Sequence, residues 1–143
     1  MEEKFKYLLA LFLLVTIIEI ILIMAGVLAP FTTGSNANTM FSIMKLAIVA
    51  YAGWIFAHQG LKAAAIKGSV MIGAGILLLF LSSITAYFGA ASSNLNPGTI
   101  YYMAAFWGIT LLLNMLIGAA MAVASALLSN FVNKKAKEKR KKK

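Results

Sequence analysis

Four long apolar runs separated by short polar stretches make up most of the chain. The first covers residues 7–29 and holds a single charge, Glu19. As a helix rising 1.5 Å per residue it spans about 35 Å, enough to cross a hydrocarbon core of roughly 30 Å. Pro30 and the polar stretch "FTTGSNANT" are expected to end it, because proline cannot continue a helix and Gly, Ser and Asn favour turns. The second run covers 41–57 and carries Lys45 near its start, and "HQGLKAAAIKGS" at 58–69 reads as a basic connector able to stay helical. A third run covers 70–91 and is closed by "SSNLNPGT" at 92–99, with Pro97 and Gly98 as breakers. The last apolar stretch, 100–132, is longer than a bilayer needs, so a span over 103–128 is expected to tilt or project. The pattern predicts an all-α, polytopic membrane protein. Its four-transmembrane-helix bundle occupies residues 1–132, and a polybasic C-terminal tail follows at 133–143.

Composition agrees with that class. Apolar side chains make up 62% of the chain, against roughly 45–50% in soluble domains, and mean hydropathy is +0.88. The net charge of +9 is unevenly placed, since eight of the thirteen Lys and Arg lie in the last ten residues, "KKAKEKRKKK". Lys and Arg in short loops are retained on the cytoplasmic face. Lys4 and Lys6 precede the first run, Lys62 and Lys67 lie between the second and third, and the tail follows the fourth. The connectors at 30–40 and 92–99 carry no charge. The expectation is therefore N-in/C-in, with the tail cytoplasmic and the cell membrane as the location. The first run exceeds the 7–15 apolar residues of an ordinary signal peptide, so it is expected to be kept, with cleavage near Ala37 the alternative. The motifs "SNAN" at Ser35 and "SNLN" at Ser93 are expected to reflect turn chemistry, with an old duplication of a helical hairpin the alternative.

With no cysteine, disulfides and thiolate chemistry are excluded. One His, no paired carboxylates, no nucleophile elbow and no phosphate-binding glycine loop leave an enzyme the least supported class. No cofactor or metal is expected. Among ionisable groups Glu19 stands out: a carboxylate in mid-span costs several kcal/mol, and such groups mark ion pathways or internal partners. It reads as a proton or cation site, neutral until a cation or partner arrives, or as a packing pin. Lys45 is the obvious counter-ion. From the expected helix ends, however, Glu19 lies about 15 Å and Lys45 about 6 Å below the outer face. Each side chain leans toward its own N-terminus, so the two are expected to point apart. Lys45 is then expected to snorkel to the headgroups, and Glu19 to seek Asn114, Ser82, Ser83 or Thr85, which complete a candidate intramembrane polar site.

Small residues recur at helical spacing: Gly53 and Ala57; Ser82, Ala86 and Ala90; Gly118, Ala122 and Ala126. Such faces let helices approach closely in lipid, within one chain or between chains. Trp54, Tyr101, Tyr102 and Trp107 suit interfacial belts, and His58 with Gln59 suits the inner end of the second helix. The tail, from Lys134, Lys135 and Lys137 onward, is suited to anionic lipid headgroups. Nucleic acid is disfavoured as a partner, for the tail has no aromatic residue to stack on bases. The leading expectation is a non-enzymatic subunit or scaffold that packs with its own copies, as a homo-oligomer, or within a larger membrane-protein complex. The alternative is a small oligomeric channel or transporter for protons, cations or a compact solute that uses Glu19. Residues 41–92 also resemble the helical hairpin of pilin subunits of conjugation systems: two apolar helices joined by the basic turn "AHQGLKAAAIKG". That resemblance covers about a third of the chain and implies a subunit of a conjugation or secretion apparatus. The fourth apolar run and the basic tail depart from the plan.

Overall fold

The computed structural model describes residues 2–28, 36–90 and 97–141, with side chains over 3–28, 39–83 and 105–138. Among these the chain is all helix: α1 (Glu2–Met24), α2 (Asn36–Phe56), α3 (Leu61–Ala90) and α4 (Pro97–Lys141). A short 3₁₀ turn, Ala57–Gln59, joins α2 to α3. Each of the four helices is long and apolar enough to cross a membrane.

Helix ends depart from the sequence expectation in four places: α2 begins at Asn36, inside the stretch expected to turn, α4 begins at Pro97, expected as a breaker, and the other two departures are made at glycines. α1 stops at Met24, before Pro30 can act. Gly26 takes φ +72°, the Val27 N–H donates to the Leu22 carbonyl at 2.9 Å, and the Gly26 N–H donates to the Ile23 carbonyl at 3.0 Å. This paired 6→1 and 5→2 bonding is a Schellman cap, which needs a left-handed residue that glycine adopts without steric penalty. The second departure is the connector expected at 58–69. Gly60, at φ +94°, turns the chain in one step, and its carbonyl accepts the Ala64 N–H at 3.2 Å. Residues 61–69 are thus the opening turns of α3. α4 begins on Pro97, a residue suited to the first turn of a helix because its missing N–H has no intrahelical role there.

α2 and α3 touch each other, and each also packs on both α1 and α4. Among the described residues α1 and α4 do not meet, so the α2–α3 hairpin forms the centre with the other two helices flanking it. The core draws Phe12 from α1, Val49 and Phe56 from α2, Met71 and Ile72 from α3, and Ala122 and Ala126 from α4. α3 and α4 approach closely, where a Cβ on Gly118 would fall 2.7 Å from the Gly68 carbonyl oxygen, and one on Gly68 would overlap the Gly118 carbonyl. Gly53 of α2 meets the Ala122 backbone in the same way. Small residues at these crossings let dispersion contacts build where lipid gives helices no hydrophobic reason to associate.

Outward faces are apolar too. Leu112 and Leu116 of α4 are 65% and 67% exposed, and Leu14, Ile21 and Leu113 are exposed as well. Apolar surface of this extent would drive aggregation in water; against acyl chains it is the matched surface.

Candidate functional site

The sharpest departure from expectation is the pairing of Glu19 with Lys45. The Lys45 Nζ donates to Glu19 Oε2 at 2.6 Å, Glu19 is fully buried, and Lys45 is 8% exposed. The expected snorkelling of Lys45 to the headgroups is therefore corrected: its ammonium turns inward. The rule about lean was sound, and the helix ends were misplaced. From the ends that form, Glu19 lies five residues below Met24, about 7.5 Å, and Lys45 nine residues below Asn36, about 13.5 Å. Glu19 leans down and Lys45 leans up, so the two side chains converge.

Glu19 Oε2 is engaged by the ammonium, but Oε1 has no hydrogen-bond partner among the described residues and is buried. Packing explains how the carboxyl is shut away from lipid. One turn below, Thr16 is fully buried and donates to the Phe12 carbonyl at 3.0 Å. Phe12 presses on α3 where a Cβ on Gly75 would lie 2.6 Å from its ring. Only a glycine admits α1 this close to α3. The ion pair thereby sits between helices, where the short contact offsets part of the cost of taking two charges out of water and Oε1 contributes no further hydrogen bond.

Beside the pair is a cavity of about 190 Å³ to which all four helices contribute, from Phe12 on α1 to Asn114 on α4. A single water needs roughly 10–15 Å³, so the space admits a solute of several atoms. Its walls are mostly aliphatic, with three polar side chains: Lys45, Ser42 and Asn114. Asn114 does not bond to Glu19, contrary to expectation; its Nδ2 donates to the Thr110 carbonyl of its own helix at 2.8 Å. Ser82 and Ser83 likewise do not reach Glu19, and both hydroxyls donate to the Leu79 carbonyl, at 2.8 and 2.9 Å. An intrahelical acceptor one turn away needs no alignment with a second helix, which is why serine so often takes it. The side chains of Thr85, Ala86 and Ala90 lie outside the described residues, as do those of Tyr101 and Tyr102.

Of the packing residues, Gly53, Ala57, Gly118, Ala122 and Ala126 are all buried within the chain. Lys134, Lys135 and Lys137 are exposed along the last turns of α4, with the Lys135 Nζ 4.5 Å from the Phe131 ring centroid. His58 donates from Nδ1 to the Ile55 carbonyl at 2.8 Å, a local cap.

Two contacts escaped the sequence reading. Lys67, two turns into α3, places Nζ 3.6 Å from the Phe56 ring centroid and donates to Gln59 Oε1 at 2.5 Å. Phe5 meets Phe56 edge to face at 6.1 Å, so this cation–π cluster ties the start of α1 to the α2–α3 joint. Ser69 Oγ donates across to the Met115 carbonyl at 3.0 Å, linking α3 to α4. Neither carried a signal in the sequence, because residues 58–69 read as a connector and not as the opening turns of a helix. Among the described residues no three His, Cys, Asp or Glu side chains gather as a metal site would require. No protein-family model matches this chain, and no curated protein or solved structure matches it either.

Proposed function

We infer that this is a non-enzymatic membrane protein whose working centre is the Glu19–Lys45 pair, and that it moves protons together with a compact solute. The observation that carries this reading is a buried ion pair, one carboxylate oxygen of which accepts no hydrogen bond, beside a cavity that all four helices line. A purely structural pair is better served by partners on every polar atom, because an unsatisfied buried acceptor costs about 1–3 kcal/mol. An acceptor left open is useful where a proton must come and go.

The scaffold reading drew its support from small-residue faces available to other chains. Those at Gly53, Gly118, Ala122 and Ala126 pack inside this one, so the ion pair is the observation preferred here.

The proposal includes a topology with both termini cytoplasmic, in the cell membrane, and a basic tail against anionic headgroups, as the charge distribution favours. Four helices are few to enclose a complete pathway, so copies of the chain associate through the outward apolar faces. Purified protein in sealed vesicles tests the function: a pH step should drive proton uptake into wild-type vesicles, and Glu19→Gln should abolish it while leaving the detergent elution profile unchanged. Uptake that persists in Glu19→Gln refutes the assignment of Glu19, and a Glu19→Gln change confined to oligomer size would restore the scaffold reading.

A further inference from the structure

Resting on the reading of the Glu19–Lys45 centre as one that moves a compact solute, we propose that this solute is a neutral, mostly apolar molecule with one hydrogen-bonding head, held in the cavity beside the pair. Charge comes first. Among the described residues Lys45 is the one charged side chain that lines the space, and it is already engaged. Its ammonium donates to Glu19 at 2.6 Å and has a further interaction within the chain. An anion would have to compete with a carboxylate held at that distance and would be repelled by it. A cation would meet the ammonium and find no carboxylate in the lining. A neutral molecule disturbs neither partner.

Size and polarity narrow the class. A cavity of about 150 Å³ lined by Leu, Ile and Phe holds benzene, so the 190 Å³ found here takes one ring or a short chain with a small substituent. Phe12, Ile76, Leu79 and Ile117 supply apolar wall. In hydrocarbon such walls give little reason to bind, since acyl chains are equally apolar. Selection therefore rests on the head. Ser42 offers a hydroxyl that donates and accepts, and Asn114 spends one N–H on the Thr110 carbonyl, which leaves it a second N–H and the Oδ1 acceptor. A hydroxyl or amide among aliphatic side chains needs such partners, because burying it without them is costly.

Access points to the same class. α1 and α4 both line the cavity but do not meet among the described residues, so no contact between them seals its flank. Of the lining residues, Ile117 is 50% exposed and Ser42 is exposed, so the space reaches the outer surface of the bundle. In a membrane that surface faces acyl chains, which hold neutral apolar molecules readily and charged groups only at high cost.

The test uses the full chain in nanodiscs and fluorine NMR, with 4-fluorobenzyl alcohol as the probe and fluorobenzene and 4-fluorobenzoate beside it. The alcohol should give a saturable resonance that empty nanodiscs lack, and Ile117→Trp, which fills the cavity from an exposed position, should remove it. Asn114→Leu should weaken the alcohol about tenfold, the effect of one lost hydrogen bond, and leave fluorobenzene unchanged. If Asn114→Leu elutes as aggregate, Ser42→Ala at its exposed site reads the same head. An alcohol signal that never saturates, or that neither head variant moves, overturns the proposal, as does 4-fluorobenzoate binding more tightly than the alcohol. The measurement reads no proton movement, so its failure leaves the pH-step assay of Glu19 standing, and a silent pH-step assay beside saturable binding overturns proton transport while the site remains.

Discussion

At the scale of single residues, the energetic weight of the molecule rests on Glu19 and Lys45. Removing one partner of a buried pair leaves an uncompensated charge, a loss of about 3–5 kcal/mol, whereas replacing both with groups of similar volume is often close to neutral. Lys45→Met alone should therefore lower the unfolding free energy measured in micelles by that amount, and adding Glu19→Gln should restore most of it. A double variant as unstable as the single one would mean that packing around Lys45, and no charge effect, is what was lost. The prominence of Glu19 was legible in the sequence, since a carboxylate amid Ile, Leu and Met has few explanations. Its partner was not, because pairing across two helices depends on where each helix ends. That was decided by Gly26, whose turn ends α1 at Met24, and by the start of α2 at Asn36.

Among the helices, glycine separates two roles that look alike in sequence. Gly118 and Gly108 both lie on α4, yet a Cβ at Gly118 would collide with Ile72 and the Gly68 carbonyl, while one at Gly108 would meet nothing within 4 Å. Gly118→Leu should push α4 off α3 and cost about 1–3 kcal/mol or more. Gly108→Ala should gain up to about 1 kcal/mol through helix propensity. Thermal unfolding in detergent measures both, and equal effects would deny the close crossing. The small-residue spacing was readable in advance at Gly53, Gly118, Ala122 and Ala126. Whether it served this chain or a neighbour was not, because spacing along one helix says nothing about which helix faces it. Gly68 went unrecognised as a packing residue for a related reason. It sat in what read as a connector, and only the tight turn at Gly60 turns that stretch into helix.

For the whole molecule, the dominant proportion is the length of α4. Its 45 residues extend about 67 Å, more than twice a hydrocarbon core of roughly 30 Å. As the helix runs on through the basic residues, their charges are spaced along a stiff rod. Lys137 lies about 7.5 Å along the axis beyond Val132, comparable to the Debye length of about 8 Å at physiological salt, and α4 continues to Lys141. Replacing Lys134, Lys135 and Lys137 by Gln should thus weaken retention of anionic lipid in mixed nanodiscs by about 1 kcal/mol per residue. The same change at Lys139, Arg140 and Lys141 should do less, and equal losses would imply a tail lying flat on the surface. Four spans and a helical class were legible from hydropathy alone, because apolar length is a property of each segment by itself. The pairing of α1 and α4 with a central hairpin was not, since it belongs to no single segment. The ion pair also bears on how the chain is made. Glu19 and Lys45 lie on consecutive helices, 26 positions apart, so a nascent α1–α2 hairpin carries its own counter-charge as it leaves the ribosome. If α1 and α2 enter lipid together, neither does so bearing a naked charge, which would otherwise cost each a few kcal/mol.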